Sequence, residues 1–430
     1  MTVVLDTPYL DDGIRSTNFF NGRLLSGEDL TQERLARQAV LTQLGRTAGD
    51  GVAYGLWVLS DVGGTTVSSP AVTVGRGLAV NRLGQPLELV RDLQVSLVAP
   101  SSSGANATTS PNGTGAFGAC SVVPGDYLVG SGVYLLVLAP AHGRQGRAPV
   151  SGLGTGDPAC AAKYLVDGVR FRLLRLKAFD PDLADVAHLR NRVAHACFGT
   201  TDPAFASAVT NPFGPPLDAF GLLDTLRPDT LQDCDVPLAV LHWTDVGGIR
   251  FVDNWSVRRR LALSVLEDRF APLGSARRRA EAEAMLLQLA EQVDALRTGG
   301  ADLSTMAAGD AFLFLPPAGI LPYGGAGWTG FDLGTFFAGQ AHRDPATVEG
   351  SVLAPLLREA ALHAPIAVGS HELVWLYLVR ENQQALVQSS PPQPYVVFAR
   401  GDVPYRGSAR FDLGKWGYAN YAVGAPGGAA

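Results

Sequence analysis

Three carboxylates, Asp245, Asp253 and Glu372, lie close in sequence to Trp243, Trp255 and Trp375. Those are the materials of glycoside chemistry: one carboxyl group donates a proton, another acts as base or nucleophile, and indole rings hold the sugar. Acidic residues near strand ends are commonplace, however, and at strand spacing large rings more often fill a layered core. His195 stands two residues before Cys197, a sparse pair of metal-ligand types. The four cysteines (Cys120, Cys160, Cys197 and Cys234) nonetheless form no CxxC and match no zinc pattern. They read as buried thiols of a reduced protein, or as two disulfides if the protein works in an oxidising setting. His371-Glu372 opens like a zincin helix, yet HELVW lacks the second histidine one turn on. Asp180-Pro181-Asp182 reads as an acidic turn. GxGxxG occurs at 113–118 and 325–330, in neither case opening a helix inside a βαβ unit; no P-loop and no GxSxG elbow is present. No catalytic, cofactor-binding or metal-binding set emerges, and the chain is expected not to be an enzyme.

The stronger signal is one of contact. From Ser16 to Gln38 the chain reads STNFFNGRLLSGEDLTQERLARQ. Phe19 and Phe20 precede an Asn21-Gly22 turn, and Arg23, Leu24 and Leu25 lead into a capped helix. Ser26 is a good N-cap with Asp29 at the capping-box position, so a helix is expected from about Gly27 to Leu44. Its apolar stripe is poorly defined: Leu30, Leu41 and Leu44 share one side, whereas Leu35 and Ala39 fall on another. Leu24 and Leu25 are expected to staple the arm to this helix. Phe19 and Phe20 would then bury in a neighbouring subunit while Arg23 pairs with an acidic or backbone acceptor, since aromatic and arginine anchors dominate interfaces. The plain alternative is that the same residues pack on the chain's own β domain.

The elements that must carry this arm follow from composition and periodicity. A chain of 430 residues, 47% hydrophobic and 17% charged, can bury large cores and divides into roughly two to four domains. Its 50 glycines and 28 prolines point to turns and short strands. The expected class is α+β, mostly β, in four parts. The docking arm and helix occupy 1–48, and a β-rich domain with loop insertions spans 49–253. In that domain 81–86 reads as a hairpin connection and 235–254 as a hairpin turning at 245–248. A low-complexity loop fills 101–118, and a proline-containing excursion covers 180–228. Along KYLVDGVRFRLLRLKAF, Val169, Phe171 and Leu173 oppose Arg170, Arg172 and Leu174, so the arginines are expected to face solvent or a partner. A helical hairpin is expected over 254–300, from Trp255 and again from Ser275 to Thr298. Ala282, Leu286, Leu289, Val293 and Leu296 would form its seam. The RRR runs at 258–260 and 277–279 are expected to be solvated. The C-terminal β-rich domain spans 301–430, with one helix within 347–365.

A formal net charge of −6 with no long run of one sign offers nothing to nucleic acid or an anionic membrane. No apolar segment is long enough to span a bilayer. The acidic start MTVVLDTPYLDDG lacks a signal peptide's basic and apolar regions, so assembly in the cytoplasm is expected. Lys163, Lys177 and Lys415 are the only lysines. Arginine's planar fork suits interfaces, although a GC-rich genome would give the same bias.

NFFNGRLLSGEDL at 18–30, GLWV at 55–58 and VGRGLAVNRLGQPLEL at 74–89 together resemble a family encoded with phage-tail-like contractile injection systems of bacteria. VPLAVLHW (236–243), FVDNWSVRRRL (251–261) and FLPPAGILP (314–322) extend the resemblance. It implies a baseplate-associated or peripheral structural protein that brings no catalytic residues with it. The implied partners are baseplate, sheath or spike subunits and further copies of this chain, in a particle that can leave the cell. A carbohydrate- or receptor-binding protein of the same particle, one able to cleave glycans included, is the alternative; a cargo toxin is the third reading.

Overall fold

A computed structural model describes residues 13–60, 70–99, 126–147, 162–202, 221–262, 276–324, 327–342, 344–360, 363–370 and 372–400. The class is α+β and mostly β, as expected. Helix α1 (Gly27–Ala48) precedes a run of short strands: β1 (Gly51–Gly55), β2 (Val58–Ser60), β3 (Ala71–Val74), β4 (Gly77–Val80), β5 (Pro86–Leu89) and β6 (Leu93–Ser96). They form two antiparallel three-stranded sheets, β1-β4-β5 and β2-β3-β6. The β4–β5 pair is the hairpin expected across 81–86.

Behind them lies an antiparallel sheet of order β10-β9-β7-β8, built from β7 (Gly132–Arg147), β8 (Ala162–Arg175), β9 (Val236–Thr244) and β10 (Gly248–Asp253). Strand β7 reads as an unbroken apolar run because both its faces are covered. Tyr134, Leu136 and Leu138 point into the core shared with the small sheets. Val133, Leu135 and Val137 point the other way, into a core closed by α2 (Val186–Cys197) and its Leu189 and Val193. The short helix α3 (Gly221–Thr225) follows.

Helix α4 (Ala276–Thr298) appears where the heptad-like spacing places it. Leu289 and Val293 enter the C-terminal core beside Leu321, Phe331 and Phe398. Ala284 and Met285 meet Ala194 and Phe198 of the preceding module. Helix and sheet approach so closely that a Cβ on Gly319 would lie 2.3 Å from the Phe398 ring and 2.7 Å from Leu289 Cδ2. The seam is thus satisfied within the chain. Strands β11 (Phe314–Leu315) and β14 (Ile366–Ala367) pair, and β12 (Ala318–Pro322), β16 (Tyr395–Ala399), β15 (Trp375–Val379) and β13 (Ala346–Val348) form the mixed C-terminal sheet. Three short helices complete the module: α5 (Leu333–Phe336), α6 (Leu353–Ala360) inside the expected 347–365 window, and α7 (Arg380–Ala385).

The helix expected from Trp255 does not form over the described part of that segment; its remainder, 263–275, lies outside the described residues. Two competing bonds explain this. The Asn254 side chain acts as a strand partner for Val58, accepting from its N–H at 2.9 Å and donating to its carbonyl at 3.1 Å. The next residues join the edge of β1 by Val52 N–H to Arg259 O at 2.9 Å and Ala262 N–H to Asp50 O at 3.1 Å. A ladder against a preformed sheet outweighs intrinsic helix propensity. The arginine expectations also need correction. Arg172 and Asp235 form a buried ion pair, their side chains 3% and 1% exposed. Arg258 is buried and donates to the Leu56 carbonyl at 3.0 Å; Arg278 is buried and donates to the His363 carbonyl at 2.7 Å.

Candidate docking surface

The N-terminal arm is held by its own helix, not by leucines. Ser26 Oγ accepts from Asp29 N–H at 3.1 Å while an Asp29 carboxylate oxygen accepts from Ser26 N–H at 2.9 Å, the expected capping box. Asp29 also forms an ion pair with Arg23, whose other nitrogen donates to the Asn18 carbonyl at 2.7 Å. The hydrogen bonds from Ser26, reinforced by Arg23, hold the Asp29 carboxyl below its ordinary pKa. Thr17 Oγ1 donates to the Asp29 carbonyl at 2.8 Å, and Gln32 donates to the Arg15 carbonyl at 2.7 Å. Between these ties the chain reverses at Asn21-Gly22, with Arg23 N–H bonded to Phe20 O at 3.2 Å and Gly22 at φ +88°. A positive φ at the third turn position is what glycine supplies without strain.

This anchoring leaves the large side chains outside. Phe19 is 54% exposed, Phe20 62%, Leu24 94% and Leu25 52%. Leu24 and Leu25 therefore do not staple the arm, contrary to expectation; the Arg23–Asp29 pair does that work. Arg23 takes both an acidic and a backbone acceptor, but in its own chain, and it lies 5.9 Å from the Phe20 ring centre. The phenylalanines do not pack on the β domain. Helix α1 continues the same character: Leu30, Leu41 and Leu44 are exposed on one side, and among its residues only Ala36 is buried. An apolar groove beside it is lined by Leu35, Ala39 and Leu83. Helix α1 meets the body near its C-terminal end, where Gly45 lies against Gly84 and Arg46 donates to the Leu83 carbonyl at 3.2 Å.

The residues with catalytic potential are not brought together. Asp245 sits in the β9–β10 turn and accepts from Ser131 N–H at 3.2 Å. Asp253, at the far end of β10, is fully buried; it takes Arg190 at 2.7 Å, Ser256 N–H at 2.8 Å and Gln288 at 3.0 Å. Burial would raise its pKa, but Arg190 and these donors hold it below the ordinary value. Glu372 pairs with Arg400 at 2.7 Å in the C-terminal module. Trp243 is core, and Trp255 packs edge-on to Trp57 with ring centres 5.3 Å apart. Arg258 stacks over Trp57 at 4.0 Å, a contact no sequence motif announced.

His195 Nδ1 is 2.8 Å from Thr200 Oγ1, and burial pushes the imidazole pKa down to about 3. Cys197 and Cys234 are buried; burial pushes the Cys197 thiol up to about 12, far from the thiolate that a metal or an electrophile needs. Cys120, Cys160, His371 and the 113–118 glycine motif lie outside the described residues. Asp180 and Asp182 are occupied by Arg175 and Arg192. Among the described residues no three His, Cys, Asp or Glu side chains converge on a metal-sized site, and no helix is long and apolar enough to cross a membrane.

The described chain is α+β with an exposed, internally braced aromatic arm. No protein-family model matches this sequence, and no curated protein matches it.

Proposed function

We propose that this chain is a non-enzymatic structural subunit of a phage-tail-like contractile injection particle, docking near the baseplate through its N-terminal arm. The carrying observation is the arm itself: Phe19 and Phe20 stand in solvent while Arg23, Thr17 and Gln32 fix the backbone beneath them. Two exposed rings on a mobile tail would cost side-chain and backbone entropy on docking; on a braced turn most of that cost is already met. Baseplate, sheath or spike subunits and further copies of this chain are the partners, joined during assembly in the cytoplasm. The sequence resemblance supplies the particle and the exposed rings supply the contact. No described cluster favours the glycan-cleaving alternative, because its carboxylates are each engaged with neighbours on separate elements.

The test is incorporation. A C-terminally tagged chain in its native host should co-sediment with sheathed tubes through a high-salt wash. The Phe19→Ala/Phe20→Ala chain should remain in the supernatant with an unchanged melting transition. Burying each ring is worth about 1.5–3 kcal/mol, enough to abolish uptake of one subunit. A double variant that still pellets, or a wild-type chain that stays a soluble monomer, refutes the reading.

A further inference from the structure

A cleft lies away from the arm, between the starts of β1 and β9, helices α3 and α4, and the 257–262 segment. Arg82, Arg227, Arg259, Arg260 and Arg277 line it, and Arg260 is paired with Glu283 at 2.7 Å. Most of them are matched. Asp224 takes Arg82 and Arg277, with Arg277 at 2.6 Å; Asp50 takes Arg82 at 3.7 Å; Glu281 takes Arg277 at 3.1 Å and Arg278 at 3.9 Å. Two are not, and Arg259 is the first. Its three hydrogen bonds go to the carbonyls of Trp255, Arg258 and Ser256, at 2.9, 2.9 and 3.2 Å, and it forms no ion pair among the described residues. It packs 4.7 Å from the Phe198 ring centre. The nearby carboxylate of Glu281 already serves two other arginines.

Arg227 is the second incompletely used cation. Its side chain is 10% exposed and its Nε is buried without an acceptor; it donates to the Gln232 carbonyl, and its one carboxylate partner among the described residues, Asp233 at 3.1 Å, is 55% exposed. Burial pushes the pKa of both guanidinium groups down. A half-buried guanidinium loses hydration without a carboxylate of its own to offset the loss, and an anion in the same cleft would offset it. The cavity volume, about 80 Å³, admits a few waters or one small ion and excludes a nucleotide.

We propose that this cleft binds a small oxyanion, phosphate or carboxylate, held by Arg259 and Arg227. Guanidinium forks present paired N–H donors matched to such oxygens. The site is independent of the docking arm and stands whether or not the chain belongs to an injection particle.

Isothermal titration of the full chain with inorganic phosphate, and separately with acetate, at constant ionic strength in chloride tests it. One saturable site per chain is expected, weakened at least about tenfold in Arg259→Gln and in Arg227→Gln. Saturation by phosphate identifies a free inorganic ion; saturation by acetate alone identifies a carboxylate, as a side chain of another subunit would supply. If a variant fails to fold, the Nε–Hε resonances of Arg259 and Arg227 in the wild-type chain give the answer. They should move with the same titration curve. Absence of saturation by either ion, unchanged affinity in both variants, or resonance shifts confined to other arginines overturns the proposal.

Discussion

Replacing Gly45 with alanine would place a methyl carbon 2.0 Å from the Gly84 carbonyl oxygen, where ordinary contact needs about 3.5 Å. Both contacting atoms belong to backbone, so no side chain can swing away; α1 must lift from the β4–β5 turn by more than about an ångström. Overpacking of this kind costs about 1–3 kcal/mol, and alanine returns about 1 kcal/mol of helix propensity. The net loss of up to about 2 kcal/mol falls on the docking of α1, not on the β cores, which share no buried residue with it. At 1.4 kcal/mol per factor of ten, amide exchange along α1 should accelerate up to about 30-fold. The main melting transition should hardly move. Gly27→Ala is the internal control: it lies in the same helix, has no atom within 4 Å of the added methyl, and therefore reports propensity alone. Hydrogen exchange read by mass spectrometry on the two variants separates the effects. Exchange in Gly45→Ala as slow as in wild type, or slowed in parallel with Gly27→Ala, would refute the idea that this glycine contact seats the helix.

Two further predictions concern buried charge. Burial, and then the charge of Asp253, pushes the Glu291 carboxyl up to about 7, whereas in the unfolded chain it titrates near ~4.3. Between those values the folded state keeps a proton that the unfolded state releases, so this group's contribution falls as pH rises through the window. Glu291→Gln mimics the protonated form and should gain stability relative to wild type from about pH 4.5 to 7 in urea titrations; a pH-independent difference sinks the assignment. His195 acts in the opposite sense, losing stability as pH falls below about 6.5, but it is common to both proteins and cancels in the comparison. Arg172→Ala should cost about 3–5 kcal/mol, because it strands the Asp235 carboxylate in the core. Arg172→Met combined with Asp235→Leu should recover most of that loss, and a single variant within about 1 kcal/mol of wild type would contradict the burial argument.

What the sequence made legible was local. The capping box needs only Ser26 and Asp29, three residues apart, and it is present. The 245–248 turn likewise depends on neighbours along the chain. The reading failed where distant backbone decided the outcome. WSVRRRL has helical propensity, but Asn254 and β1 lie almost two hundred positions apart in sequence and claim its hydrogen bonds. The expected staple failed for a related reason: a salt bridge from Arg23 to Asp29 left Leu24 and Leu25 with no apolar surface to cover. Arg172 misled because alternation identifies the face a residue points to, not whether that face is covered.

The arginine excess takes on a different meaning in this light. Arginine suits subunit interfaces, yet Arg172, Arg190, Arg258 and Arg278 are all buried inside this chain. Each joins elements far apart in sequence: Arg190 bridges β10 and α4 through Asp253 and Glu291, and Arg278 ties α4 to the carbonyl of His363. A lysine ammonium carries one point of charge with three donors and could not span two acceptors in a fixed fork. The bias in basic residues therefore serves the joints between modules, and it ceases to count as support for external contacts. That support now rests on Phe19, Phe20 and the leucines of α1, which are exposed, apolar and mounted on backbone the chain has already ordered. The docking argument is narrower for losing the arginines, and a single double substitution is enough to decide it.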